Sequence, residues 1–241
     1  MKLPGLVGGR GSVPRVVEIA EVAMSGLVSA GARARQVCEV VADGSLLPET
    51  TVTEVQARGV KAVLAVRLNS AEVGRRAREG VAPLLDMSVL DTLMQLPAGL
   101  PVPVESLTAR EQMRLRRCPK NTVEQSEGQL VRRLVAPLEV DLAVTRTHRP
   151  GGPALQRAGR FGPYTPSAVW LDGPAAGSEL MVIEAGVYGL GVVRAADGEA
   201  PELMVAPRSS LRFTPTAAGW LFAEQVYGQL LGASRDLLPT P

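Results

Sequence analysis

The chain has 241 residues, 46% of them hydrophobic and 21% charged, with a formal net charge of +2, a balance that excludes wholesale disorder and allows a packed core. No uncharged stretch reaches the roughly 18–20 apolar residues that span a bilayer, and the first ten residues carry neither a secretory apolar run nor a cleavage site, so the reading is a cytoplasmic protein with no membrane partner. Cys38 and Cys118, eighty positions apart, and a single histidine, His148, exclude a disulfide framework and multi-histidine metal sites, while the lack of a Gly-x-Ser-x-Gly elbow weakens serine-hydrolase chemistry.

In chain order, Gly8-Gly9-Arg10-Gly11-Ser12 opens a periodic apolar segment over 13–41, with Ser12 as N-cap, Pro14 in the first turn, and Gly26 and Gly31 splitting or kinking the helix. A glycine-rich turn before a helix can hold an anion on its amides; without Gly-Lys-Ser/Thr, a flexible tail is the ordinary alternative. Asp43-Gly44-Ser45 marks a turn, and Thr53 is read as the cap of a short helix through Arg58 that Gly59 ends. The run Val60–Leu68, which alternates poorly but is rich in β-branched residues, predicts a buried strand. Ser70 is read as the cap of a polar helix over 71–79 that carries Arg75, Arg76 and Arg78, and a further helix ends at Leu96. Pro97 to Pro103 then reads as a stiff linker.

Beyond it, Thr108 and Glu111 form a capping box ahead of Arg114, Arg116 and Arg117. Residues 121–136 are read as a helix with Arg132 and Arg133, and 138–144 as a strand. The segment 145–166, with Pro150-Gly151-Gly152-Pro153, Arg157, Arg160, Phe161 and Tyr164, predicts a long basic loop, functional or mobile. Strands follow over 167–172, 180–193 and 203–206, with Gly186, Gly189 and Gly191 allowing a bulge or close backbone approach. Thr214-Pro215 starts the last helix, whose stripe Trp220, Ala223, Tyr227, Leu230 and Leu231 faces the core until Gly232 stops it.

All eight aromatic residues lie after position 160, a break that suggests unlike halves. The expected fold is α/β, or α+β: a helix-rich N-terminal module over 1–103, a C-terminal module over 104–235 with a mixed sheet flanked by helices and the basic loop 145–166, and a tail over 236–241.

Charge is uneven. Residues 110–160 hold eleven Arg or Lys against five acids, and no acid occurs between Leu142 and Leu171. That is the electrostatic footprint of a phosphate-facing surface, or of solvated helix faces balanced by acids elsewhere. The candidate nucleic-acid contacts are Arg114, Arg116, Arg117, Arg132, Arg133, Arg149, Arg157 and Arg160. Asp141 and Glu184 lie among aliphatic neighbours in presumptive strands, where a charge needs a partner or a role; Arg132 or Arg133 on a neighbouring helix is one structural partner.

The order helix with Glu127, strand with Asp141, loop, strand with Glu184, helix resembles the core of restriction-endonuclease-like (PD-(D/E)xK) nucleases over about a hundred residues, 122–231. The resemblance implies Asp141 and Glu184 as metal-binding acids, Glu127 as the helical acid of some members, and Mg²⁺ as the cofactor. Ala185 and Gly186 follow Glu184, so the catalytic lysine is absent and a binding-only descendant is the natural form. Leu211-Arg212-Phe213-Thr214-Pro215-Thr216-Ala217-Ala218-Gly219 also resembles the wing strand and following Thr-x-x-Gly helix start of winged-helix regulators. The expected function is non-catalytic nucleic-acid association without a cofactor. The alternatives are a metal-dependent nuclease on Asp141 and Glu184, and a protein-interaction or assembly subunit, with a homo-oligomer as a possible form.

Overall fold

The computed structural model describes residues 31–173, 177–208 and 215–236. The glycine-rich turn at 8–12, the Ser12 cap with Pro14, Gly26 and the wing-strand residues 211–214 lie outside them.

Helix α1, Ala32–Val41, starts at Gly31 and buries Ala34, Val37, Cys38 and Val41, one face at the 3.6-residue period. Asp43 and Gly44 both take positive φ in the turn after it. Strands β1, Thr51–Ala57, and β2, Val60–Leu68, form an antiparallel hairpin closed by Arg58 and Gly59, at φ 55° and 72°. The predicted helix from Thr53 to Arg58 is therefore a strand. Thr51, Val52, Thr53 and Val55 are β-branched, and a two-residue turn with both φ values positive matches the twist of the strands.

Helix α2, Ser70–Glu79, is capped by Asn69 rather than Ser70: the Asn69 side chain accepts from Glu72 N, and Gly80 closes the helix in the left-handed conformation. Helix α3, Met87–Met94, begins at Asp86, whose carboxylate accepts from Ser88 N and Val89 N. The Pro97–Pro103 segment contains a short strand, β3, Pro101–Pro103, and the Thr108–Glu111 capping box opens α4, Ala109–Leu115. Residues 121–136 form a second hairpin instead of a helix: β4, Val123–Ser126, and β5, Gln129–Arg132, turn through Glu127 and Gly128 at φ 50° and 75°. The apolar positions at 123, 130, 131 and 134 mimic helical spacing only because the tight turn interrupts them.

Strand β6, Leu138–Thr147, is the longest. The predicted loop after it contains a helix, α5, Gly152–Gly159, with Pro153 in its first turn and Ala154, Leu155 and Ala158 buried. Strand β7, Ser167–Leu171, is followed by a helix and not by the predicted strand: α6, Glu179–Tyr188, runs to the left-handed cap Gly189 before the short strand β8, Gly191–Arg194. Strand β9, Glu202–Val205, precedes α7, Ala217–Asp236, which passes through Gly232.

The main sheet is mixed and six-stranded in the order β1-β2-β6-β7-β8-β9; only β6/β7 and β7/β8 are parallel. Each parallel link crosses over through a helix, α5 and then α6. Strands from both sides of Pro103 share this sheet. A smaller sheet, β3-β5-β4, packs with α3, α4 and the start of α7 around Leu90, Leu93, Leu115, Leu130, Leu134 and Trp220.

Helix α1 covers one face of the main sheet, against Val52, Val63, Ala65, Val144 and Trp170. The other face carries Val73 of α2, the apolar stripe of α7 (Phe222, Ala223, Val226, Tyr227 and Leu230), and α5 with α6 over Val169 and Val192. A bulge makes this two-faced burial work on β6. Ala65 faces Leu142 and Val66 faces Val140, leaving Asp141 as the extra residue. Leu138 and Val140 therefore point to the α7 side, whereas Leu142 points to the α1 side and Ala143 returns to the α7 side.

Candidate functional site

The fold separates the eight candidate arginines. Three hold carboxylates: Arg114 lies 3.7 Å from Asp91, Arg117 2.6 Å from Asp86, and Arg133 3.1 Å from Glu124. Arg116 is exposed at the end of α4, and Arg160 donates to the Arg58 carbonyl at 3.1 Å. Arg132 is turned inward, its guanidinium 5.5 Å from the Trp220 ring centroid and donating to Leu93 O at 2.8 Å.

Arg149, through its backbone, and Arg157, through its side chain, are both held by Thr147 at the carboxyl end of β6, the edge at which parallel strands deliver loop residues to ligands. Thr147 Oγ1 organises the turn: it donates to Arg149 O at 3.1 Å and accepts from Arg157 Nη2 at 3.2 Å. Arg146 grips Asp172 through Nε and Nη2, with its guanidinium carbon 4.6 Å from the Trp170 ring centroid. His148, 76% exposed, sets Nδ1 2.8 Å from the Asp172 carbonyl. The two loops touch so closely that a Cβ on Gly173 would sit 3.1 Å from His148 O. Asp172 is thus spent on Arg146, and among the described residues no carboxylate lies within ion-pair distance of Arg149 or Arg157. Gly151, at φ 137°, then admits the chain to α5.

The three acids of the nuclease comparison lie on separate elements. Glu127 is in the β4–β5 turn, Asp141 in the β6 bulge, and Glu184 on α6, which corrects its placement on a strand. Asp141 already has a partner that the sequence did not suggest: Arg67 donates from Nε and Nη2, both at 2.8 Å, and also reaches Glu139 at 2.6 Å. The hydrogen bond to Asp141, above all, raises the Arg67 pKa. Arg132 and Arg133, the expected partners, point elsewhere. Among the described residues no group of three or more His, Cys, Asp or Glu side chains could hold a metal ion.

A second ionic cluster, this one buried, was also invisible in the linear pattern. Arg76 and Glu224, whose side chains are both fully buried, form a two-pronged pair at 2.7 Å, and Arg76 Nε adds Glu72 at 2.8 Å. Its members belong to α2 and α7, 148 positions apart.

At the other end of β6 lies a cavity of about 650 Å³, bounded by Leu138, Tyr164, Phe222, Trp220 and Arg132, with Glu139 and Asp141 on its rim. It opens where β6 runs on past the start of β7, since pairing between the two begins only at Ala143 and Ser167.

Helix α6 presents one further unusual feature. Leu180, Ile183, Val187 and Tyr188 are 66–70% exposed and recur at the spacing of a single helix face. Met181 and Ala185, on the opposite side, are the residues that bind α6 to the core.

No protein-family model matches the chain. Comparison with curated proteins and with solved structures likewise finds no match. The fold itself defines the class, an α/β protein with a mixed sheet. No helix among the described residues is long and apolar enough to cross a membrane.

Proposed function

We propose that the protein binds the phosphate backbone of a nucleic acid, without catalysis, at the carboxyl edge of β6 and β7. What supports this reading is the placement of the exposed Arg149 and His148 and of Arg157 around Thr147 beside a glycine turn, with Asp172 already engaged by Arg146. The contact set is narrower than the charge count suggests, because Arg114, Arg117 and Arg133 are paired and Arg132 is turned inward. With two phosphates neutralised by Arg149 and Arg157, log K falls against log salt with a slope of about −2 for duplex DNA. Anisotropy titrations of labelled duplex DNA, single-stranded DNA and RNA at two salt concentrations measure that slope. Arg149→Ala and Arg157→Ala should each weaken binding and flatten the slope at unchanged melting temperature. Binding that ignores both substitutions, or is absent at low salt, rejects the reading.

The exposed α6 face supports a second reading, an assembly subunit, since a contiguous apolar patch marks interaction surfaces. Light scattering distinguishes the two: a stable oligomer indifferent to DNA and dissociated by Ile183→Glu selects assembly, and a monomer at all concentrations counts against it.

A further inference from the structure

The cavity at the start of β6 contains a charge that the fold leaves uncompensated. Arg132 lines it, and among the described residues no carboxylate lies within ion-pair distance of its guanidinium. Its Nε is buried with no hydrogen-bond partner among the described residues, and Nη1 donates only to the Leu93 carbonyl, so the guanidinium keeps hydrogen-bonding capacity that the fold does not use. Removal from water lowers the Arg132 pKa, the opposite of what happens to Arg67, Arg75 and Arg76, which have carboxylate partners.

Glu139 and Asp141, the rim acids, share the single Arg67 guanidinium, which offsets one of their two charges and holds both carboxylates away from Arg132. Pro215, Thr216 and Gly219 bring the start of the twenty-residue helix α7 to the same wall. Thr216 Oγ1 accepts from Gly219 N, so the first turn of α7 is ordered along the cavity wall. The remaining lining is apolar and aromatic: Met94, Leu138, Tyr164, Trp220 and Phe222. A volume near 650 Å³ lies within the range of about 300–1,000 Å³ usual for small-molecule sites, and an apolar wall with one fixed polar group is their usual chemistry.

We propose that this cavity binds a small organic monoanion, a carboxylate on an apolar or aromatic body, with the carboxylate on Arg132 and the body against Trp220, Tyr164 and Phe222. One guanidinium with two carboxylates on the rim suits a single negative charge and not a polyphosphate. The site is distinct from the phosphate-contacting edge: β6 separates Leu138 from Thr147, a rise of roughly 30 Å at about 3.3 Å per residue.

The test compares 4-phenylbutyrate, 4-phenylbutanol and 4-phenylbutylammonium, which share one apolar body, by isothermal titration calorimetry on the full chain. The carboxylate should bind saturably at one site, about tenfold or more tighter than the alcohol, the effect of a single charge-assisted hydrogen bond, and the ammonium should bind weakest. Arg132→Met should remove the preference for carboxylate over alcohol while retaining alcohol binding. Equal binding of all three compounds by the wild-type protein, or no binding by any, overturns the proposal without recourse to a variant. A folded Arg132→Met protein that still prefers the carboxylate overturns it as well. Should that variant fail to fold, the wild-type series decides alone.

Discussion

Replacement of Glu224 by alanine tests whether the Arg76 cluster holds α2 and α7 to the segments at Leu84 and Val135. The Glu224 carboxylate, fully buried, accepts from Arg76 Nη1 and Nη2 at 2.7 Å, from Trp220 Nε1 at 2.9 Å and from Leu84 N at 3.0 Å. Arg76 also donates to Val135 O at 2.8 Å and lies 5.3 Å from the Tyr227 ring centroid. Removing one member of a buried pair leaves the other charge uncompensated and costs about 3–5 kcal/mol. Glu72 still holds Arg76, which places the expected loss near the middle, about 4 kcal/mol. For a chain of this size that corresponds to a melting temperature lower by about 8–16 °C. Equilibrium urea unfolding, followed by tryptophan fluorescence and circular dichroism, measures the loss. The partner variant Arg76→Met/Glu224→Leu replaces both charges with apolar groups of similar length and should recover at least about half of it, because a buried ion pair often adds little over a well-packed apolar pair. A Glu224→Ala protein within about 1 kcal/mol of wild type would refute the cluster's structural role, and a double variant no better than the single would refute the uncompensated-charge argument.

Three further outcomes are expected. Burial pushes the Cys38 thiol up to about 12 and the half-buried Cys118 up to about 11; since the thiolate is the nucleophile, Ellman's reagent at about pH 8 should label Cys118 slowly and Cys38 only on unfolding, and prompt labelling of both contradicts this packing. Gly191→Ala would set a Cβ 2.8 Å from Pro207 Cδ and 2.9 Å from Ala168 Cβ, so urea unfolding should show a loss of about 1–3 kcal/mol from overpacking, whereas neutrality would mean that β8 and the Pro207 segment shift freely. For Glu72, burial raises the pKa, but hydrogen bonds from Arg75 and Arg76 together outweigh it and hold the group below its ordinary 4.5; a depressed carboxylate stabilises the fold above its unfolded pKa and loses that contribution as pH falls through the folded one. The stability gap between wild type and Glu72→Gln should therefore be full at neutral pH and narrow below 4.5, and a gap that widens on acidification would reverse the sign of the argument.

The elements legible from sequence are those whose local pattern and tertiary burial agree. Strand β2 carries Val60, Val63 and Val66 in a largely apolar run buried between β1 and β6, and α7 carries Trp220, Ala223, Tyr227 and Leu230 on its buried face. Of Gly186, Gly189 and Gly191, read as allowing a bulge or a close approach, Gly191 meets Pro207 and Ala168 and Gly189 meets Arg208, whereas Gly186 meets nothing within 4 Å. The misread elements share a different property. In α6, Val182, Ile183 and Val187 argue for a strand by propensity, yet burial of Met181 and Ala185 against α5 and a left-handed glycine at the end decide for a helix. In β4–β5 the deciding feature is a two-residue turn, Glu127-Gly128, within a segment whose apolar residues fall at helical intervals by coincidence.

The same distinction governs the sites. A charge count along residues 110–160 treats neighbours in sequence as neighbours in space, but the acids that neutralise Arg114 and Arg117 come from Asp91 and Asp86, before the window begins. Likewise the partner of Asp141 is Arg67, 74 positions away, brought opposite Glu139 by antiparallel register and within reach of Asp141 by the bulge. The bulge that turns Leu142 toward α1 is thus also what lets one guanidinium serve two acids at the cavity rim. With those acids occupied, Arg132 is left as the lining cation without a carboxylate among the described residues. A substitution at Arg67 should therefore act at a distance: releasing Glu139 and Asp141 makes the rim more negative, and a carboxylate ligand at Arg132 should then bind less tightly in Arg67→Met than in wild type while the matching alcohol is unaffected. Equal loss for both compounds would mean that Arg67 shapes the cavity walls instead of its charge.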